Sequence, residues 1–132
     1  LIRTEKVSMM TSLTSANKAV REKLVELQRA LAQKENVVMD GRDIGTCVLP
    51  NANVKVYLTA SSHVRALRRY HELEQKGESC DLAEIEKDII QRDKQDMSRE
   101  ISPLKQAEDA VPIDSSDMTI EEVADAIIAL CK

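Results

Sequence analysis

Three short apolar runs constrain this chain more than any other feature. Residues 37–40, 54–60 and 110–114 read as strands, and the stretches around them carry helical periodicity. Strands alternating with helices predict an α/β fold whose sheet is parallel and flanked by helices. Three strands are few for such a sheet, and the chain starts at Leu1 rather than Met. The expectation is therefore a piece of something longer.

The helices are marked by caps and stripes. Thr4 is expected to cap a helix through about Leu13, with Val7 and Met10 inward. A second helix from near Ser15 carries the stripe Val20, Leu24, Leu27, Leu31, spaced as an amphipathic helix requires. Pro50-Asn51-Ala52-Asn53 reads as a turn. Ser62 is expected to cap a third helix, with Val64, Leu67 and Leu73 inward and Gly77 closing it. Asp81 and Glu84 resemble a capping box for a fourth helix, running to about 99. A proline–polar stretch follows at about 101–109, and Pro112 predicts an edge position for the third strand. Thr119 and Glu122 form a capping box for the last helix, which is expected to bury Ile120, Val123, Ile127 and Leu130.

Composition closes off several functions. With no Trp or Phe, the core must be aliphatic, and stacking of bases on aromatic rings is nearly unavailable. A net charge of −4 disfavours binding to nucleic-acid polymers, which needs a positive footprint. Cys47, Cys80 and Cys131 are odd in number and lack CxxC spacing, which suits a reducing cytoplasm rather than a disulfide scaffold or zinc site. No apolar run reaches the roughly 18–20 residues of a membrane span, and no signal peptide is visible.

The chemistry-bearing residues fall in three places. Gly-Arg-Asp-Ile-Gly-Thr at 41–46 follows the first predicted strand, so Arg42 and Asp43 stand at a strand's carboxyl end, where open α/β sheets bind ligands. That pair suits an anion and a base edge in one pocket; a surface ion pair in a glycine turn is the plainer alternative. In the fourth helix the inward stripe Leu82, Ile85, Ile89 continues as Arg92, Asp96, Arg99. Charges aimed at a core need partners or a ligand, unless that half of the helix is solvated. Arg65, Arg68 and Arg69 make a basic patch on the third helix: a solvated face, or a clamp on phosphate oxygens. His63 and His71 are too far apart for one metal and read as surface residues, and the five methionines read as packing. The three glycines form no G-x-x-x-x-G-K-[ST] loop.

Taken together, IRTEKVS at 2–8, VREKLVELQRALA at 20–32, VVMDGRDIGTCVLPNANVKVYLTAS at 37–61, RALRRYHELEQKG at 65–77, RDKQDMSR at 92–99, SPLKQAEDAVPIDSS at 102–116 and MTIEEVADAI at 118–127 resemble the C-terminal part of a bacterial cytidylate kinase. The resemblance covers essentially the whole chain, with departures at Pro112 and Gln95. It implies a P-loop nucleoside monophosphate kinase fold without its central P-loop strand, with 1–132 as the C-terminal part of that domain and a lid at about 62–99. It further implies transfer of the ATP γ-phosphate to CMP or dCMP with Mg²⁺. By resemblance, Ser12, Arg21 and Asp43 recognise cytosine, Arg42 and Arg99 hold the CMP phosphate, and Arg92 and Asp96 contact the ribose. Arg65, Arg68 and Arg69 approach the transferring phosphoryl group, and Asp40 orients a Mg²⁺-bound water. Without the phosphate loop, the chain alone is expected to be inactive. The alternatives are a non-catalytic CMP-binding module and a fragment that self-associates through its open sheet.

Overall fold

The computed structural model describes residues 4–100 and 103–132. Ile101 and Ser102, which open the predicted proline–polar stretch, and Leu1, Ile2 and Arg3, of which the last two open IRTEKVS, lie outside the described residues. The elements are α1 (Glu5–Ser15), α2 (Lys18–Lys34), a π-helical turn (Ile44–Val48), β1 (Val56–Thr59), α3 (Ser62–Gln75), α4 (Leu82–Ser98), β2 (Val111–Asp114) and α5 (Ile120–Leu130). The fold is α/β, with a parallel two-stranded sheet and flanking helices, as the alternation predicts.

β1 pairs with β2 in the register Val56 to Val111, Tyr57 to Pro112, Leu58 to Ile113 and Thr59 to Asp114. Bonds from Val111 N to Lys55 O and from Ser115 N to Thr59 O extend the ladder at both ends. Those donors recur at every second residue, so Pro112, one position out of step, turns its nitrogen to the free edge. Proline is tolerated there because it has no N–H to contribute.

The predicted strand at 37–40 is absent. Its residues have no regular structure and pair with no strand, and Val38 is fully exposed. A strand exists only by hydrogen bonding to a neighbour, and among the described residues none lies alongside this one.

The local end signals mostly hold. Thr4 Oγ1 accepts from Val7 N at 3.3 Å, as expected for the N-cap of α1. Thr119 and Glu122 form the full capping box of α5. Asp81 accepts from Ala83 N, but Glu84 returns no bond, so only half of the expected box forms. The cap of α3 is Ser61, not Ser62. α2 starts at Lys18 behind Asn17 rather than near Ser15. α3 ends in a Schellman motif: Glu78 N donates to Leu73 O, Gly77 N to Glu74 O, and Gly77 takes φ 72°.

The stripes of the first two helices turn out to face water. Val7 and Met10, expected inside, are exposed, as are Val20, Leu24, Leu27 and Leu31. Half-buried positions are instead Ser8, Ser12 and Ser15 on α1 and Arg21, Val25, Gln28 and Ala32 on α2. Polar bonds choose these faces. Arg92 donates to Ser8 and Arg99 to Ser12, both at 3.0 Å, so α1 is tied to α4 through hydroxyls. Arg21 and Arg29 turn α2 toward the π-helical turn. In α5, Ile120 is 85% exposed, against expectation, while Val123, Ile127 and Leu130 are half-buried. Among the described residues the buried apolar core is small: Val48, Ala60 and Ala66. A leucine left about half in water forgoes roughly half of the ~1.5–3 kcal/mol that full burial contributes, so the α2 stripe is a substantial unrealised reserve.

Candidate functional site

The Gly-Arg-Asp-Ile-Gly-Thr segment folds as a wide turn. Asp43 O accepts from Cys47 N at 2.9 Å and from Val48 N at 3.2 Å, and Ile44 O accepts from Leu49 N at 2.7 Å. π-type turns are rare and cluster at functional sites. Gly41 permits this one by close approach: a Cβ there would lie 2.9 Å from Ile44 Cγ1. Val48, 1% exposed, anchors the far end.

Asp43 is buried, and its Oδ2 is ion-paired with Nη2 of Arg21 on α2. Arg42, next in sequence, reaches the other way. Its Nε donates to Oδ2 of Asp96 at 2.7 Å. Asp96 is 4% exposed, and its Oδ1 faces Arg99 Nη2 at 3.2 Å. Arg99 Nη2 donates in turn to Ser12 Oγ at 3.0 Å. The charged continuation of the α4 stripe is therefore directed inward at Asp96 and Arg99. Arg92 is exposed and holds Ser8.

Six of the seven predicted substrate residues are thus joined in two adjoining groups, Ser12–Arg99–Asp96–Arg42 and Asp43–Arg21, linked through consecutive residues. A cleft of about 270 Å³ opens among Ser15, Ala16, Arg21, Arg99 and Glu100. A larger one of about 610 Å³ runs along α2 past Lys18, Arg21, Val25 and Arg29. The larger cleft is lined by one helix alone; the smaller one lies between elements, beside the buried charges, and is the better candidate. Guanidiniums of Arg21, Arg42, Arg92 and Arg99 outnumber the carboxylates of Asp43 and Asp96, with Glu100 at the rim. Such an excess suits an anion, and planar arginine forks suit phosphate oxygens.

Arg65, Arg68 and Arg69, expected in a lid, do not join this cluster. Arg65 makes a bidentate pair with Asp93 on α4, at 2.9 and 2.5 Å, and its Nε donates to Ala60 O at 3.0 Å. The bonds to Asp93 hold the guanidinium even more firmly protonated than usual. Arg68 donates to Oγ and O of Ser115, just past β2. Arg69 pairs with Glu72 on its own helix at 3.1 Å, and with Lys76 it holds the Glu72 carboxyl below the ordinary range. Asp40 is exposed in the unpaired segment. His63 and His71 are exposed beside Glu86 and Glu74, as expected of surface residues.

Asp93, Ser115 and Arg29 are the residues that sequence reasoning passed over. Asp93 lies inside the quoted RDKQDMSR stretch, but nothing along the chain points it at Arg65 on another helix. Arg29 binds the carbonyls of Cys47 and Val48, which carry no side-chain signature at all.

A family model described as cytidylate kinase matches residues 1–132. A cytidylate kinase of Geobacter sp. (strain M21) is 54% identical over 122 residues, covering 92% of this chain and 52% of that protein. One from Citrifermentans bemidjiense is 51% identical over 131 residues, covering 99% and 56%. One from Caldicellulosiruptor saccharolyticus is 51% identical over 129 residues, covering 98% and 57%. The chain spans about half the length of the curated relatives it matches.

Proposed function

Because this chain belongs to the cytidylate kinase family, we propose that it is the C-terminal part of a nucleoside monophosphate kinase domain. The whole enzyme moves the γ-phosphate of ATP to CMP or dCMP, giving CDP or dCDP. This part supplies most of the CMP site and, in α3 and α4, the lid. One observation carries the reading: the buried Asp96 carboxylate gathers Arg42 and Arg99 beside the Arg21–Asp43 pair.

The roles follow from donor and acceptor chemistry. Cytosine N4 is a donor, so the Asp43 carboxylate and the Ser12 hydroxyl suit it. N3 and O2 are acceptors, so Arg21 suits them. Arg42 and Arg99 take the CMP phosphate, with their forks held ready by Asp96. Asp96 and Arg92 meet the ribose. Arg65, Arg68 and Arg69 neutralise charge that spreads over the transferring phosphoryl oxygens. That requires Arg68 and Arg65 to trade their bonds to Ser115 and Asp93 for phosphate oxygens. Phosphoryl transfer of this kind needs positioning and charge stabilisation, and no covalent intermediate.

Mg²⁺ is the expected companion of ATP. Among the described residues no group of three or more His, Cys, Asp or Glu comes together to hold a metal, and Asp40 is alone in its segment. These residues do not by themselves fit a metal cage; the metal belongs in this reading to the ATP phosphates, which take ligand positions the protein leaves open. No helix among the described residues is long and apolar enough to cross a membrane. The reading assigns the enzyme to the cytoplasm, and the odd number of scattered cysteines, without CxxC spacing, agrees with that.

The 132 residues contain no phosphate-loop motif, so the isolated chain is expected to bind CMP without phosphorylating it. A second reading, a self-associating fragment, is favoured by the exposed stripe of α2. Calorimetric titration with CMP, using AMP as control, tests the first. Selective CMP binding supports it. Equal or absent responses to both nucleotides would confine the kinase reading to the longer protein.

A further inference from the structure

The wide turn that carries Asp43 is held at both ends by one helix. At its start, Arg21 of α2 pairs with the Asp43 carboxylate. At its end, Arg29 of α2 donates from Nε to Val48 O at 2.8 Å and from Nη2 to Cys47 O at 2.6 Å. Arg21 and Arg29 are about two helical turns apart, roughly 12 Å along the axis, and both line the cleft along α2. The last carbonyls of a helical turn have no partner within it, and a cationic side chain can take them. Arg29 takes two at once with its fork, a task for which a single ammonium is poorly shaped.

The peptide units that Arg29 grips are the ones that hold Asp43. Cys47 N and Val48 N both donate to Asp43 O, while the carbonyls of the same two residues accept from Arg29. A closed path therefore runs from Arg29 through Cys47 and Val48 to the Asp43 backbone, then through its carboxylate to Arg21 and back along α2. Release of any one link lets the Asp43 carboxylate rotate relative to Arg21.

We propose that Arg29 is a positioning residue: by gripping the carbonyls of Cys47 and Val48 it fixes the angle at which Asp43 and Arg21 present themselves, and so sets the discrimination between cytosine and other bases. This rests on the reading of Asp43 and Arg21 as the groups that meet the base. UMP is the telling competitor, because uracil carries an acceptor where cytosine carries the N4 donor.

The test compares the full 132-residue chain with Arg29→Gln and Arg29→Lys. Calorimetry gives the affinities for CMP and UMP, and amide hydrogen exchange gives the protection of Cys47 and Val48. Circular dichroism checks that each variant is folded. The expected result for Arg29→Gln is a CMP-over-UMP preference lowered by about tenfold, as loss of a charged hydrogen bond implies. Exchange should quicken at Cys47 and Val48 but not in α3 or α4. Arg29→Lys should recover part of the preference. Wild-type preference in a folded Arg29→Gln chain would overturn the proposal. If the wild-type chain binds no CMP, it is the CMP reading of the isolated chain that fails. Exchange then decides the inference by itself: faster exchange confined to the turn sustains it, and unchanged protection at Cys47 and Val48 ends it. If Arg29→Gln does not fold, the same two readouts are taken on Arg29→Lys, where full wild-type values overturn the proposal.

Discussion

Nε of Arg42 donates to Oδ2 of Asp96 at 2.7 Å, joining the wide turn to α4 across 54 positions of sequence. Asp96 is nearly fully buried and also faces Arg99, so a single carboxylate balances two guanidiniums. Removing one partner of such a group leaves the others uncompensated. Asp96→Ala is expected to lower stability by about 2 kcal/mol, below the value for a fully buried pair because Arg42 is partly in water. Urea denaturation measures it. An unchanged midpoint would show that the network is held by something other than this carboxylate.

In a complete enzyme containing this segment, Asp43→Ala should weaken CMP binding more than Arg68→Ala does, by about tenfold if one charged hydrogen bond to the base is lost. Arg68→Ala should act chiefly on turnover. It also removes two bonds to Ser115, so thermal unfolding of that variant should be recorded alongside its kinetics. Equal CMP affinity in the parent and in Asp43→Ala would take base recognition away from Asp43.

Acid should weaken the contact beneath β1. Lys55 Nζ donates to Asp109 Oδ1 at 2.8 Å, and this bond holds the Asp109 carboxyl below its ordinary value of 3.8. A carboxyl depressed in the folded state stabilises above its unfolded value, and that contribution is lost as pH falls through the folded value. Asp109→Asn should therefore unfold more easily than the parent at neutral pH, with the gap closing in acid below the ordinary Asp range. A gap of constant size across that range would remove the ion pair as its cause.

The apolar residues of α2 give a separate expectation. Leu24, Leu27 and Leu31 stand in water along one face, and contiguous apolar patches promote association. Light scattering should show mass rising with concentration, and Leu27→Lys should shift that rise to higher concentration. A monomer at every concentration would end the self-association reading.

The legible part of this fold was local. Thr4, Asp81 and the Thr119–Glu122 box mark helix starts, because a cap needs only residues a few positions away. The inward Asp96 was legible too, since a charge on an apolar stripe demands a partner. Periodicity placed Val20, Leu24, Leu27 and Leu31 on one face correctly but not what that face meets, and polar bonds from Arg21 and Arg29 turned the other side inward. The strand at 37–40 failed for a related reason: pairing belongs to the neighbour as much as to the run itself. The wide turn at Ile44–Val48 and its grip by Arg29 are made of backbone groups, to which side-chain patterns are blind.

The Arg65–Asp93 clamp has a mechanical consequence. Together with the contacts from Ser62 and His63 to Glu86, it fastens α3 to α4 along their facing sides. Three residues beyond Asp93, Asp96 fastens the same helix to Arg42. α4 is thus a strut shared by Arg65 on one side and by the Arg42–Asp96–Arg99 group on the other. With Arg68 bound to Ser115 and Arg92 and Arg99 to α1, both helices are braced against the rest of the body as one unit, so any movement of one must first break bonds that hold the other.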